Sequence, residues 1–213
     1  LTIGALKIID YIGPKHVMHF FMGTYYRPVE KRRLVLFLDM VGSTAIAEKL
    51  TPKQSMDFIA SFIYDASLAF RLHDGDVVNY TGDGLVVLWP EHKSDQALGS
   101  VKTLNGLLAK NHQIYMQKFG QVPDFRIGMH SGSVIINQLG EEKLFIGLYG
   151  DVVNTAARLE QMCKELAVKV LISRDVRKFM TPAYINETVP MGKKALRGRD
   201  EKIEVYTLKK TTL

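Results

Sequence analysis

Two aspartates stand at positions where carboxylates do chemistry. Asp39 closes a run of apolar residues, and Asp83 sits between two glycines in Thr81-Gly82-Asp83-Gly84. Each has an ordinary explanation, since Asp39 could cap a helix and Asp83 could be a turn residue that tolerates a left-handed backbone. If the strands that carry them are neighbours, both carboxylates converge on one sheet edge. Hard cations such as Mg²⁺ take one or two carboxylates and complete their shell with substrate phosphates. Two such ions serve in-line phosphoryl displacement. The segment after Asp39 fits this chemistry. Val41, Gly42, Ser43 and Thr44 lead into a helix start, where free backbone N–H groups favour a phosphate. The pattern G-x-x-x-x-G-K-[ST] is absent, so this is not a P-loop.

Asn154 and Arg158 are spaced to share one helix face. They read either as an amide and guanidinium for a phosphorus centre and a sugar oxygen, or as an ordinary helix-start amide and surface arginine. His130 has no second His or Cys at metal-ligand spacing and reads as a structural residue. Lys193, Lys194, Arg197, Arg199 and Lys202 form a basic stretch around Gly192 and Gly198. It reads as a loop that binds a polyphosphate tail or is simply solvated.

Positioning these groups requires a sheet. Residues 33–38, RLVLFL, are apolar enough for a strand buried on both faces. Thr51-Pro52-Lys53-Gln54 is a capping box with proline at the first helical position. The helix it opens runs to about Leu72, with Met56, Ile59, Phe62, Ile63 and Ala66 expected on one face. DVVNYT and LVVLW read as a hairpin turning at Gly82-Asp83-Gly84. Ser94-Asp95 caps a helix expected to continue to Gly120. DFRIGMHSG, SVIINQLG and LFIGLYG are strand material, and Asp151 opens a helix to about Cys163. VKVLIS, a short helix DVRKFM and a final strand IEVYTL complete the order β-α-α-β-β-α-β-β-α-β-α-β. That order predicts an α+β fold, a mixed sheet covered by helices.

The 213 residues are 46% hydrophobic and 23% charged, which suits one globular domain and excludes a disordered or fibrous chain. One cysteine, Cys163, excludes a disulfide framework and a multi-thiolate zinc site. The net charge of +6 favours a polyanionic partner, yet no nucleic-acid-binding motif accompanies it. Apolar runs are strand-sized, short of the ~18 residues that span a bilayer. The chain begins with Leu1 and has no signal-peptide layout, so it is expected to be a piece of a longer protein. Residues 1–30 are expected to form a helical arm or linker and 31–210 the working domain. A basic Lys31-Arg32-Arg33 after a truncated apolar segment predicts the cytoplasmic side of a membrane-anchored parent, with the membrane reached only through the missing upstream part.

Four segments in order, F-L-D-M-V-G-S-T, T-G-D-G-L-V-V-L-W, R-I-G-M-H-S-G and G-D-V-V-N-T-A-A-R-L-E, resemble the catalytic domain of class III nucleotidyl cyclases from about Arg33 to Leu208. The resemblance implies a ferredoxin-like core of the palm type and two Mg²⁺ or Mn²⁺ ions. It places Asp39 and Asp83 on the metal aspartates, the Met40 carbonyl beside a metal, and 41–44 on the phosphate-binding turn. Asn154 and Arg158 fall on the transition-state pair, and Arg197 falls near a basic residue that faces the triphosphate. Metals and transition-state pair come from opposite subunits in that family, which implies a head-to-tail homodimer. Asn79 and Gly147 fall on the base-reading positions, where adenylate cyclases carry a lysine and an aspartate or threonine. ATP is the expected substrate, with cyclic AMP and pyrophosphate as products. GTP, poor discrimination between purines, or a silent nucleotide-binding domain are the alternatives.

Overall fold

A computed structural model describes residues 27–139, 145–196 and 201–209. The first strand, β1 (Val29–Met40), has β3 (Leu85–Pro90) on one side and β4 (Phe125–Leu139) on the other, both antiparallel. Outside β3 lies β2 (Asp76–Tyr80), also antiparallel. Helices α1 (Ser43–Ala47) and α2 (Pro52–Leu72) link β1 to β2, and α3 (Ser94–Lys110) and α4 (His112–Phe119) link β3 to β4. A β-α-β-β-α-β order folded as β2-β3-β1-β4 is the ferredoxin-like arrangement. The sheet then extends through β6 (Val170–Ser173), parallel to β4, to β8 (Ile203–Leu208) and the edge strand β7 (Thr188–Lys194). β5 (Phe145–Tyr149) hairpins onto the far end of β4. Helix α5 (Asp151–Glu165) connects β5 to β6, and the short α6 (Arg174–Arg177) and α7 (Pro182–Ile185) precede β7. No helix among the described residues is long and apolar enough to cross a membrane.

β1 has apolar residues at nearly every position because both of its faces are covered. Leu34, Leu36, Leu38 and Met40 join Phe58 and Phe62 of α2, Leu98 and Leu104 of α3 and Trp89 of β3 in one core. Val35 packs with Val86 and Leu88 of β3 and with Val152 and Ala156 of α5 in a second. Strand alternation therefore puts Asp39 on the α5 side of the sheet. α5 lies unusually close to that side. A Cβ on Gly128 of β4 would stand 2.2 Å from both the Ala156 carbonyl oxygen and the Glu160 nitrogen, so only glycine permits the contact. The far flank of α5 closes a third core with Leu171, Ile203 and Val205.

The capping box forms as expected: Thr51 Oγ1 accepts from the Gln54 N–H at 3.3 Å and Gln54 Oε1 accepts from the Thr51 N–H at 3.1 Å. Four expectations are corrected. The inner face of α2 carries Phe58, Phe62, Asp65, Ala66 and Phe70, while Met56 is 66% exposed. The expected single helix from Ser94 to Gly120 breaks at Asn111, whose amide donates to the buried Asp65 carboxylate at 3.0 Å. Ser94 is inside α3, with its hydroxyl donating to the Glu91 carbonyl at 2.8 Å, rather than capping it. Lys193 and Lys194 are not loop residues but pair with Glu204 and Ile203 in the β7–β8 ladder. The arm expected at 1–30 lies almost wholly outside the described residues.

Candidate active site

Asp39 is the penultimate residue of β1, and the turn holding Asp83 closes beside it. Thr81 N–H donates to the Gly84 carbonyl at 2.9 Å, and Gly82 supplies a left-handed φ of 82°. The turn presses against the end of β1. A Cβ on Gly84 would lie 2.3 Å from the Leu38 carbonyl oxygen and 3.2 Å from Asp39 Oδ1. The two carboxyl groups are near enough to act on each other electrostatically. Burial raises the Asp39 pKa from its ordinary value, and the Asp83 charge raises it further. A pair of half-buried carboxylates sharing one place is stabilised by a cation between them. Among the described residues no cluster of three or more His, Cys, Asp or Glu could hold a metal unaided. The donor set fits a hard divalent ion that draws its remaining ligands from phosphates.

Two residues not foreseen from the sequence complete this side. Register places Arg126 of β4 opposite Asp39 of β1. Its guanidinium lowers the Asp39 pKa, against the larger effect of burial. Across the close α5–β4 contact, Arg126 Nε lies 3.5 Å from Glu160 Oε1, with side-chain exposures of 18% and 11%. At that length the contact is an ion pair without a hydrogen bond, and Arg126 Nε is buried with no hydrogen-bond partner among the described residues. Burial first, then the nearby Asp39 charge, pushes Glu160 from 4.5 up to about 7. The signal for Arg126 was in the R-I-G segment; that for Glu160 needed the helix–sheet contact.

The other expected residues fall as follows. Met40 buries its side chain in the first core, beside Asp39. Val41 N–H donates to the Asp124 carbonyl at 2.8 Å, and Gly42, at φ 71°, starts α1. Only Ser43–Ala47 are helical, so the turn at 41–44 opens one short helical turn. Asn79 follows an irregularity in β2 between Val77 and Asn79. Its amide, oriented by its hydrogen bonds, donates to the Val78 carbonyl at 2.7 Å and the Ile146 carbonyl at 3.2 Å. Asn79 thus reaches the chain neighbour of Gly147, and these two positions come together in the fold. A Cβ on Gly147 would meet Leu139 Cδ1 at 2.6 Å. Asn154 is exposed and Arg158 half-buried on α5. Among the described residues no hydrogen bond or ion pair holds either of them or joins them to Asp39 or Asp83. His130 is buried, its Nδ1 2.8 Å from Ser173 Oγ, in keeping with the structural role expected. Arg197 and Arg199 lie outside the described residues.

Known proteins are similar to this chain along most of its length. Adenylate cyclase 2 of Rhizobium meliloti is 28% identical over 210 residues, covering 97% of this chain and 58% of that protein. The adenylate cyclase of Anabaena cylindrica is 25% identical, over 95% of this chain and 41% of its own length. This chain therefore spans less than two thirds of either relative. A bacterial light-regulated adenylyl cyclase superposes with a TM-score of 0.83 at 21% identity, covering 97% of this chain and 61% of that one. The guanylate cyclase domain of RhGC from Catenaria anguillulae, solved in complex with GTP, gives a TM-score of 0.70 at 20% identity over 85% and 98% of the two chains. At such identities these superpositions establish the fold. The family model of the adenylate and guanylate cyclase catalytic domain matches residues 28–210, nearly all of the described sheet and every motif at its edge, and the chain belongs to that class III cyclase family.

Proposed function

We propose that this domain is an adenylate cyclase, which converts ATP to 3′,5′-cyclic AMP and pyrophosphate at the interface of a head-to-tail homodimer. The observation that carries the reading is a division of the site. The two carboxylates lie together at the end of β1, whereas Asn154 and Arg158 on α5 have no hydrogen-bond or ion-pair partner among the described residues. Each chain supplies half of a site, and a second copy supplies the other half. The relatives named as adenylate cyclases support the choice of nucleotide.

Asp39, Asp83 and the Met40 carbonyl would hold two Mg²⁺ or Mn²⁺ ions. When bound, such ions acidify a hydroxyl and neutralise phosphate charge. The 3′-oxygen of the ribose forms a bond to the α-phosphorus, the bond from that phosphorus to the bridging oxygen of pyrophosphate breaks, and the hydroxyl proton passes to solvent. The turn at 41–44 would take up phosphate oxygens through backbone N–H groups. Arg158 of the second copy would stabilise charge developing on the α-phosphoryl group, and Asn154 would orient the ribose. Arg197 would face the triphosphate, as the family resemblance implies. Because nucleophile and electrophile belong to one molecule, holding the ribose in place supplies much of the rate.

Asn79 favours weak discrimination between purines. Its two amide hydrogens are committed to the Val78 and Ile146 carbonyls, so its free oxygen only accepts. Adenine N6 and guanine N1 or N2 all donate. Incubating the chain separately with ATP and GTP, with Mg²⁺ or Mn²⁺, tests the proposal by the cyclic product formed. Cyclic AMP in excess is expected. Cyclic GMP alone would correct the nucleotide, and bound nucleotide without turnover would make this a silent binding domain.

A further inference from the structure

One buried carboxylate takes no part in the chemistry above. Glu160 lies on the inner side of α5, the helix whose outer side presents Asn154 and Arg158. Its cation, Arg126, stands opposite Asp39 in the β1–β4 register. A guanidinium beside two carboxylates has an obvious resting place, between them, where it would neutralise both and occupy the position of a metal ion. It does not rest there. Among the described residues the ion pair made by Arg126 is with Glu160, at 3.5 Å, and no nitrogen of Arg126 comes within ion-pairing distance of Asp39 or Asp83. The close approach of α5 to β4 at Gly128, where the Glu160 nitrogen would lie 2.2 Å from a Cβ, fixes where the competing carboxylate stands.

We infer that Glu160 is a positioning residue, which holds the Arg126 guanidinium away from Asp39 and so keeps the place between Asp39 and Asp83 open to a divalent cation. The inference rests on reading Asp39 and Asp83 as the metal carboxylates. It gives the pair Arg126–Glu160 a purpose beyond packing: Glu160 keeps a protein cation from acting as an internal inhibitor of metal entry.

The test is Mn²⁺ binding to the whole chain without nucleotide, followed by electron paramagnetic resonance of the free ion. Four proteins form a cycle: wild type, Glu160→Gln, Arg126→Gln and the double variant. Glu160→Gln keeps the side-chain shape and removes the charge, and is expected to weaken Mn²⁺ binding about tenfold, as removal of a supporting partner does. In the Arg126→Gln background the same replacement is expected to have no effect, because no guanidinium remains to fall on Asp39. Equal weakening in both backgrounds would mean that Glu160 acts only through its own charge, and would overturn the inference, as would unchanged binding in Glu160→Gln. Glu160→Asp, which keeps the charge but withdraws it by one methylene, is expected to lie between wild type and Glu160→Gln; binding as in wild type would count against a role in distance. Thermal melts of all variants check that each is folded. If the wild type makes no cyclic nucleotide but the cycle behaves as described, the catalytic reading fails and the role of Glu160 stands. If the wild type is active and the cycle is additive, the catalytic reading stands and the role of Glu160 fails.

Discussion

The two sides of helix α5 obey different rules. Its inner side, with Val152, Ala156, Leu159 and Glu160, is pressed onto the sheet so tightly that Gly128 admits no side chain. Charge there is bound up with packing, because Glu160 is buried, Arg126 is half-buried, and each bears on Asp39 or on the other. Its outer side carries Asn154 and Arg158, to which no hydrogen bond or ion pair among the described residues attaches. Polar side chains without internal work do little for the fold, while buried ones cannot change without cost. Loss of an outer residue should therefore silence the protein without unfolding it, and loss of an inner one should do both.

The largest expected effect falls on activity. Arg158→Ala is expected to lower kcat by about 10²–10³-fold with little change in KM. Its melting temperature should match the wild type. A lowered melting temperature would give Arg158 internal work and break the contrast. Asp39→Ala should silence the chain too, yet mixing it with Arg158→Ala should restore activity, since one composite site then has every group. A mixture as inactive as its components would deny that the two halves come from different copies.

Arg126→Ala sharpens the inner side. It leaves Glu160 buried without its cation, at a cost of about 3 kcal/mol at pH 8. The cost should shrink at pH 5.5, where Glu160 takes up a proton. Gly128→Ala should destabilise by about 2–3 kcal/mol through overpacking, and should weaken activity by lifting α5. Urea midpoints measure both.

The pH dependence of Glu160 itself is smaller. Its pKa in the fold, about 7, lies above the ordinary 4.5. The native state therefore holds a proton that the unfolded state has released between those values. Stability from this group is full below about 4.5 and is lost as pH rises through about 7. Against Glu160→Gln, the wild type should lose stability between pH 5 and pH 8; a constant difference would mean that Glu160 does not titrate there. Thr51→Ala serves as the remote control, since that residue touches neither side of α5. It should cost about 1 kcal/mol of stability through loss of the cap and leave turnover unchanged.

Much of this arrangement was legible in the residues. The two-faced burial of β1, the capping box at Thr51, the hairpin around Asp83 and the last strand all follow from local pattern. Asn154 and Arg158, four positions apart, were seen to share a helix face, but only the resemblance to the cyclase family singled them out. Other features were not. β7 contains Pro190 and Gly192 with a register irregularity between them, which argues against a strand unless it lies at an edge, where Pro costs no ladder bond. The break at Asn111 has no Pro or Gly to announce it; it is made by a buried carboxylate, Asp65, from another helix. The inner face of α2 turned out to be centred on Phe58 rather than Met56, since only the packed sheet selects among overlapping apolar stripes.

By itself the sequence determined the family and the order of the elements that carry the motifs, because these depend on short-range spacing that the chain cannot hide; it offered Asp39 and Asp83 as a pair on the condition that their strands are neighbours, which the sheet meets. Only the tertiary structure decided that Arg126 and Glu160 meet beside them and that Asn79 spends its donors on backbone carbonyls. The Arg126–Glu160 and Asn79–Ile146 contacts join residues far apart in the chain. They are set by sheet register and by how closely a helix can approach a glycine, and no local pattern encodes either.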